Sequence, residues 1–176
     1  QSPVIYEVLD FAVGVTDARG DLVSQGNGIA GFLGPLGEAV RDALERIPDL
    51  SPGDVVATND PYSGGGSHLS DVAMVRPIFV DGELVAFAGA KGHWTEVGGK
   101  DPGSWTADSV EIFQEGLQLP FVRVVRGGEL DPDLAAVIRA NSRLPDMTIG
   151  DLTAFAACLE VAERRFLEKR VAELSA

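Results

Sequence analysis

Both histidines of this chain lie in glycine-rich segments that also carry carboxylates. His68 lies just after three consecutive glycines and precedes Asp71 by three residues, and His93 lies in a second segment that ends at Gly98 and Gly99. Imidazole and carboxylate groups together form ligand sets for Zn²⁺, Mn²⁺ or Fe²⁺. Glycines allow the backbone and a substrate to approach closely. The two segments therefore predict a divalent-metal site.

We expect four side chains from these segments to bind the cation, with water or substrate completing the coordination. A helical turn would direct His68 and Asp71 to the same side, because they are three residues apart. Asp60 precedes them, directly after a predicted strand, and His93 comes from the neighbouring hairpin. The expected ligands are Asp60, His68, Asp71 and His93.

Two acidic residues that follow His93 are candidate catalytic side chains. We expect Glu96 or Asp101 to orient an imidazole toward the cation. An alternative is that the histidines only form hydrogen bonds within ordered loops. The spacing does not decide between these interpretations, because H-x-x-D is far less specific than a paired C-x-x-C signature.

The composition is that of one globular domain, which we expect to span residues 1–176. A net charge of −13 argues against binding to nucleic acid or to anionic membranes. The one cysteine excludes an intrachain disulfide, and no apolar run approaches the roughly 20 residues that span a bilayer. We therefore expect a cytoplasmic protein with no nucleic-acid or membrane partner.

The hydrophobic pattern predicts a mixed α/β fold of the α+β type, with an antiparallel or mixed sheet, flanking helices and a long C-terminal helix. Asp81-Gly82 is a strong hairpin signal, and the second strand of that hairpin is expected to deliver His93 just beyond its end. The predicted strands cover residues 11–15, 22–25, 55–58, 72–80, 84–90 and 121–125.

Three main helices are predicted. One begins at Pro35, a residue that suits the first helical position, and ends near Pro48. Another follows Asp131 and reaches about Asn141. The last runs from residues 146–148 to about Leu174, which at 1.5 Å per residue is roughly 40 Å. Because a domain of this size does not need so long a helix, we expect it to pack against something outside the chain.

Four other features of the sequence are weaker indicators of function. Residues 26–31 match G-x-G-x-x-G, but the strand before them belongs to a hairpin, which favours a structural turn or substrate loop over a dinucleotide site. Residues 98–101 lack the pattern of a phosphate-binding loop. Cys158 is expected to pack within the last helix. Trp94 and Trp105 are expected in the core or an interface, with a cleft wall as the alternative.

Three groups of residues between 53 and 116 carry a family resemblance: residues 53–62 with 68–71, residues 92–99, and residues 102–104 leading to 114–116. In order and spacing they resemble the B-type subunit of ATP-dependent hydantoinases and 5-oxoprolinases. The same superfamily includes the corresponding subunits of acetone and acetophenone carboxylases. Weaker similarity extends over nearly the whole chain.

The resemblance implies a site and a reaction. It matches the four expected ligands to the family's metal-site segment, and it implies an A-type partner subunit that holds ATP and Mg²⁺. ATP would activate a carbonyl oxygen of a cyclic amide (hydantoin, 5-oxoproline or another lactam), and a metal-activated water would then open the ring. The alternatives are a subunit of an ATP-dependent ketone carboxylase and a non-catalytic scaffold subunit.

Two departures from the family pattern bear on the substrate. Many relatives have paired histidines followed by Ala-Asp where this chain has residues 93–96, and many carry histidines where this chain has residues 29–33. Relatives are also longer at both ends. We therefore expect a fragment of a larger B-type subunit, with the remainder of that subunit as a further partner.

Overall fold

The computed structural model describes residues 1–26 and 28–174. Within these residues the chain forms a seven-stranded sheet in the order β2-β1-β5-β4-β3-β6-β7, and every pairing is antiparallel. The mixed α/β prediction is confirmed. The strands are β1 Phe11–Asp17, β2 Leu22–Gln25, β3 Val55–Thr58, β4 Asp71–Val80, β5 Glu83–His93, β6 Val122–Arg126 and β7 Glu129–Leu130. The helices are α1 Pro3–Tyr6, α2 Ala30–Arg46, α3 Pro132–Ala140 and α4 Pro145–Leu174.

The β4–β5 hairpin forms the centre of the sheet and is covered on both faces. Alternate residues of β4 point in opposite directions, as in any strand. Val72 and Met74 pack in one cluster with residues of α3 and α4, whereas Ala73 and Val75 pack against α2. The odd-numbered residues of β4 thus face α2. This alternation also sets the direction of Asp71, the first residue of the strand.

The hairpin contains an irregularity close to its turn. Asp81 and Gly82 both have positive φ, at 51° and 85°, as the predicted Asp-Gly turn requires. Beyond the turn, Phe79 pairs with Leu84 but Ile78 pairs with Ala86. Val85 therefore has no partner on β4, which is a β-bulge. All pairs from Ile78 to the far end of the hairpin follow the shifted register.

Helix α2 begins earlier than the sequence predicts. Its first residue is Ala30, so Pro35 lies inside the helix instead of at its start. Proline there removes one backbone hydrogen bond. The backbone of Gly65 lies close against this proline, because a Cβ placed on Gly65 would lie 2.3 Å from Pro35 Cβ. The predicted apolar stripe of Leu36, Val40 and Ala43 is buried against the sheet.

The C-terminal part of the chain follows the prediction closely. Asp131 caps α3 by accepting hydrogen bonds from the backbone N–H groups of Asp133 and Leu134. Helix α4 has 30 residues, and its first half buries a stripe that ends at Leu159. Cys158, expected to pack within this helix, is exposed. The expected contact of α4 with something outside the chain stays a prediction.

The G-x-G-x-x-G segment lacks the setting of a dinucleotide site. It follows β2, which pairs antiparallel with β1, and no parallel β-α-β unit occurs in the described residues. Asn27 lies outside those residues. Gly28 has a structural reason to be glycine, because a Cβ there would lie 2.4 Å from the carbonyl oxygen of Phe11. In the described part of the chain, no helix is both long enough and apolar enough to cross a membrane.

Candidate metal centre

The central hairpin brings Asp71 and His93 together as direct cross-strand partners. Asp71 is the first residue of β4 and His93 is the last residue of β5, rather than lying just beyond it. His68 comes from the turn before β4, and this turn is closed by a 3.1 Å hydrogen bond from the Asp71 N–H to the His68 carbonyl. Strand pairing and one tight turn therefore position all three side chains.

The three side chains converge on one carboxylate oxygen. Asp71 Oδ1 lies 3.3 Å from His68 Nε2 and 3.4 Å from His93 Nδ1. The two imidazole centroids are 5.0 Å apart. One potential ligand atom from each residue lies within 4.8 Å of the other two. Two imidazoles and one acid from separate segments of the sequence thus lie together.

Asp71 is buried and has its two oxygens in different surroundings. Ser67 Oγ donates a 2.5 Å hydrogen bond to Oδ2. Oδ1 is buried and has no partner of hydrogen-bond geometry, although both imidazoles lie close to it. A buried oxygen without a hydrogen bond is costly unless something else satisfies it. A cation between the imidazoles would satisfy it.

The charges of the site are strongly coupled. Burial alone would raise the pKa of the Asp71 carboxyl, but His68, His93 and Ser67 together outweigh burial and hold it well below its usual value. The Asp71 carboxylate in turn raises the pKa of the His68 imidazole above 6.5, against the opposing effect of desolvation. The cluster therefore keeps a negative charge beside two basic nitrogens.

The spacing suits a tetrahedral ion. Ligand atoms bonded to Zn²⁺ at about 2.0–2.1 Å lie about 3.4 Å from each other in a tetrahedron. The two nitrogen–oxygen distances, 3.3 Å and 3.4 Å, match two of the three edges, and all three ligand atoms lie within 4.8 Å of one another. Two imidazoles and one carboxylate also form the protein ligand set of catalytic zinc sites and of non-haem iron sites, in which further positions stay open. The residues present thus fit a divalent cation.

Asp60 does not join this group. Its Oδ1 accepts a hydrogen bond from the Tyr62 N–H, and its Oδ2 accepts one from Ser63 Oγ. Both oxygens are therefore used inside the loop that holds Asp60. The expectation that it serves as a fourth ligand stays a prediction.

Glu96 and Asp101 do not contact an imidazole in the described structure. Glu96 is 2% exposed and accepts hydrogen bonds from the N–H groups of Gly98 and Gly103 and from Arg143 Nη1. It holds the loop after β5 in place. Asp101 pairs with Lys100 at 2.7 Å near the surface. Sequence spacing could not distinguish these roles, since a carboxylate near a histidine serves equally well as a loop anchor.

Three further residues lie near the centre: Ser67, Lys91 and Trp105. Ser67 and Lys91 were not predicted as part of it, whereas a cleft wall was the alternative given for Trp105. Lys91 precedes His93 by two residues in β5, so its position on the same face follows from strand alternation. Trp105 lies with its ring edge-on to His68 at 6.3 Å and is 74% exposed, which contradicts a place in the core. Trp94 is buried, as expected.

A family model described as hydantoinase B/oxoprolinase matches residues 1–173. The chain belongs to this family. The resemblance inferred from the three groups of residues is confirmed.

Two curated relatives in the family are similar over most of the chain. The beta subunit of the caprolactamase of Pseudomonas jessenii is 34% identical over 160 residues, which cover 90% of this chain and 27% of the relative. The B-type subunit of a putative D-/L-hydantoinase from a Pseudomonas species is 30% identical over 176 residues, 95% of this chain and 29% of the relative. The chain thus spans less than a third of the relatives' lengths.

Solved structures show the same fold. The crystal structure of the ATP-dependent caprolactamase from P. jessenii matches 90% of this chain and 28% of its own chain, with a TM-score of 0.84 and 34% identity. A nucleotide-free structure of acetone carboxylase matches 98% of this chain and 23% of its own, with a TM-score of 0.88 and 25% identity. The family fold is therefore shared by a caprolactamase and an acetone carboxylase.

Proposed function

We propose that this chain is the metal-containing part of an ATP-dependent cyclic-amide hydrolase. The observation that supports this most directly is the convergence of His68, Asp71 and His93, with both imidazole nitrogens within 3.4 Å of one carboxylate oxygen. The names of the relatives support the reaction class, because one belongs to a caprolactamase and another to a putative hydantoinase. The proposed substrate is a small lactam or hydantoin.

Each residue of the centre has a distinct task in this proposal. His68 Nε2, His93 Nδ1 and Asp71 Oδ1, which lie close together, would hold Zn²⁺, Mn²⁺ or Fe²⁺. Ser67 fixes the Asp71 carboxylate by binding its other oxygen, so that Oδ1 stays directed between the imidazoles. Bound there, the cation would supply Lewis acidity toward a carbonyl oxygen and lower the pKa of a water molecule. Trp105 stands beside His68 and limits access of solvent from that side.

An A-type partner is part of the proposal. The sequence contains no phosphate-binding loop of the G-x-x-x-x-G-K-[ST] type. The two curated relatives are named as subunits, and one solved relative is described as ATP-dependent. An A-type subunit would bind ATP and Mg²⁺ and activate the amide carbonyl by phosphorylation. The centre described here would then act on the activated ring.

Metal analysis of the purified protein tests the proposal. We expect about one equivalent of Zn²⁺, Mn²⁺ or Fe²⁺ in the wild type, and loss of that metal in His68→Ala and His93→Ala, because each removes one of three ligands. Asp60→Asn is the matched control, since its carboxylate is used within its own loop and the metal should be retained. Absence of a stoichiometric transition metal from wild-type protein would sink the proposal.

A ketone carboxylase is the second candidate function. The acetone carboxylase structure matches a larger share of this chain than the caprolactamase structure does. An assay of ATP turnover by the assembled complex, with panels of lactams and ketones, distinguishes the hydrolase from the carboxylase. Turnover that requires bicarbonate and a ketone identifies a carboxylase, whereas bicarbonate-independent turnover with a lactam identifies the hydrolase.

The same assay addresses a scaffold role. If the chain were a non-catalytic component of the complex, His68→Ala would leave turnover unchanged. Under the hydrolase proposal this variant abolishes turnover while the complex still assembles, which size-exclusion chromatography can show.

A further inference from the structure

Lys91 is a buried cation beside the candidate metal centre. It is 2% exposed, and its Nζ donates a 2.7 Å hydrogen bond to the carbonyl oxygen of Gly65. The ammonium also lies 5.3 Å from the ring centroid of Phe32 in α2. Lysine is almost never fully buried unless it is paired, so its presence here calls for an explanation beyond packing.

Lys91 connects the two halves of the centre. It lies in β5 two residues before His93, so the two side chains leave the strand on the same face. Gly65 lies three residues before His68 in the loop between β3 and β4. Besides the pairing of β4 with β5, this hydrogen bond therefore ties the backbone before His68 to the strand that carries His93.

The part of the loop that leads to His68 contains two consecutive glycines in the left-handed region. Gly64 and Gly65 have φ values of 71° and 67°, and glycine backbones are the most flexible when unrestrained. Two charged side chains restrain this pair from opposite sides. Asp42 Oδ2 accepts a 2.6 Å hydrogen bond from the Gly64 N–H, and Lys91 binds the Gly65 oxygen. Of these two, Lys91 alone belongs to the strand that ends in a ligand.

We propose that Lys91 is a positioning residue for the cation site, which it completes by holding Gly65 and thereby setting His68 at the correct distance from His93. This inference rests on the proposed metal-binding function. Lys91 itself touches neither the cation nor the substrate. Its effect is on how well the ligands are arranged before a cation enters.

The test compares Lys91→Met with Lys91→Arg in the full protein. Methionine keeps the apolar stem but has no donor, whereas arginine keeps both charge and donor. We expect Lys91→Met to weaken Zn²⁺ binding 10–100-fold, the range typical of residues that orient metal ligands, measured by competition with a chromophoric chelator. Lys91→Arg should recover most of the affinity. Lys100→Met, which removes an exposed charge, is the matched control and should bind as the wild type does.

A readout without metal separates positioning from general stability. In chelator-treated protein, Lys91→Met should accelerate amide hydrogen exchange at residues 64–68 and leave exchange in β4 and β5 unchanged. Its melting temperature should change little, because loss of the hydrogen bond to the Gly65 oxygen and removal of a buried charge act in opposite directions. Loss of metal affinity together with unchanged stability is the expected signature.

The outcomes distinguish this inference from the proposed function. If the wild type binds Zn²⁺ and Lys91→Met binds it equally well, the role of Lys91 is refuted and the metal function stands. If the wild type binds no metal, the function is refuted, and unchanged exchange at residues 64–68 in Lys91→Met would refute the positioning role too. Should Lys91→Met not fold, Gly65→Ala displaces the same carbonyl, since its Cβ would lie 2.3 Å from Pro35 Cβ. Undiminished Zn²⁺ affinity in that variant would then contradict the inference.

Discussion

At the scale of single residues, the centre depends on the different partners of the two oxygens of one carboxylate. Asp71 directs Oδ2 to the Ser67 hydroxyl and Oδ1 toward both imidazoles. The shared oxygen makes the protonation of His68 and the charge of Asp71 interdependent, and the same coupling makes protons competitors of any cation that binds there.

The affinity for a cation is expected to fall steeply with decreasing pH. Asp71 raises the pKa of His68 above 6.5, so this imidazole stays protonated, and unable to bind a cation, at a higher pH than an ordinary histidine does. Zn²⁺ affinity measured by chelator competition between about pH 6 and pH 8 should therefore decrease as the pH is lowered through that raised pKa. A flat profile over this range would contradict the coupling.

In the metal-free protein the two pKa shifts change stability in opposite directions with pH. A raised pKa of His68 stabilises the fold below the unfolded value of 6.5, and this contribution is lost as the pH rises through the folded value. The lowered pKa of Asp71 stabilises above 3.8 and is lost on acidification. Urea denaturation in chelator should show both contributions present between about pH 4 and pH 6.5. Above about pH 6.5 the contribution of His68 is lost and the free energy of unfolding should fall. Asp71→Asn should lack this fall, because the carboxylate that raises the pKa of His68 is absent.

At the scale of elements, the loop after β5 has its own anchor, separate from the metal centre. Glu96 accepts hydrogen bonds from two glycine N–H groups, from Ser104 Oγ and from Arg143. The loop it organises leads from the end of β5 to Trp105. Glu96 thus shapes the mouth of the site without contacting its ligands.

Glu96→Gln is expected to destabilise the protein without removing the metal. The neutral amide cannot accept all the hydrogen bonds that the carboxylate accepts, and losing bonds to a charged group costs about 1–3 kcal/mol. Urea denaturation measures this loss, and Asp101→Asn, whose carboxylate is exposed, is the control with an effect within about 0.5 kcal/mol. The opposite pattern, unchanged stability with lost Zn²⁺ affinity, would restore the orienting role that the sequence suggested for Glu96.

The sequence predicts most elements and part of the site, for identifiable reasons. Strand ends and the Asp81-Gly82 turn depend on local patterns, so the β4–β5 hairpin is found from the sequence. The start of α2 is not, because the packing of Pro35 against Gly65 overrides the preference of proline for a helix start. The hydrogen bonds of Asp60 within its own loop also depend on structural detail that the spacing of residues does not show.

At the scale of the whole molecule, helix α4 joins the core at one end and leaves it at the other. Phe155 and Leu159 are 4% and 1% exposed and pack on the sheet face opposite α2. These residues belong to the core of this chain, so they do not form a surface for a partner. Further along the helix, Val171 is 65% exposed.

Leu159→Ala should therefore weaken the fold itself. Truncating a buried leucine leaves a cavity and costs about 2–5 kcal/mol. Urea denaturation should show this loss, whereas Val161→Ala, on the exposed side of the same helix, should have a much smaller effect. If Leu159→Ala left the stability of the chain intact and instead dissociated it from a partner, the assignment of this face to the core would be wrong.

The unpaired Val85 determines which side of the sheet His93 occupies. Near the turn, Val80 pairs with Glu83 and Phe79 with Leu84. If this register continued without the bulge, Asp71 would pair with Gly92. The His93 side chain would then point to the sheet face that α4 covers. The bulge at the turn end of the hairpin thus decides whether His93 and Asp71 lie on the same face at the other end. Relatives that keep the centre are expected to change the length of this hairpin only by even numbers of residues.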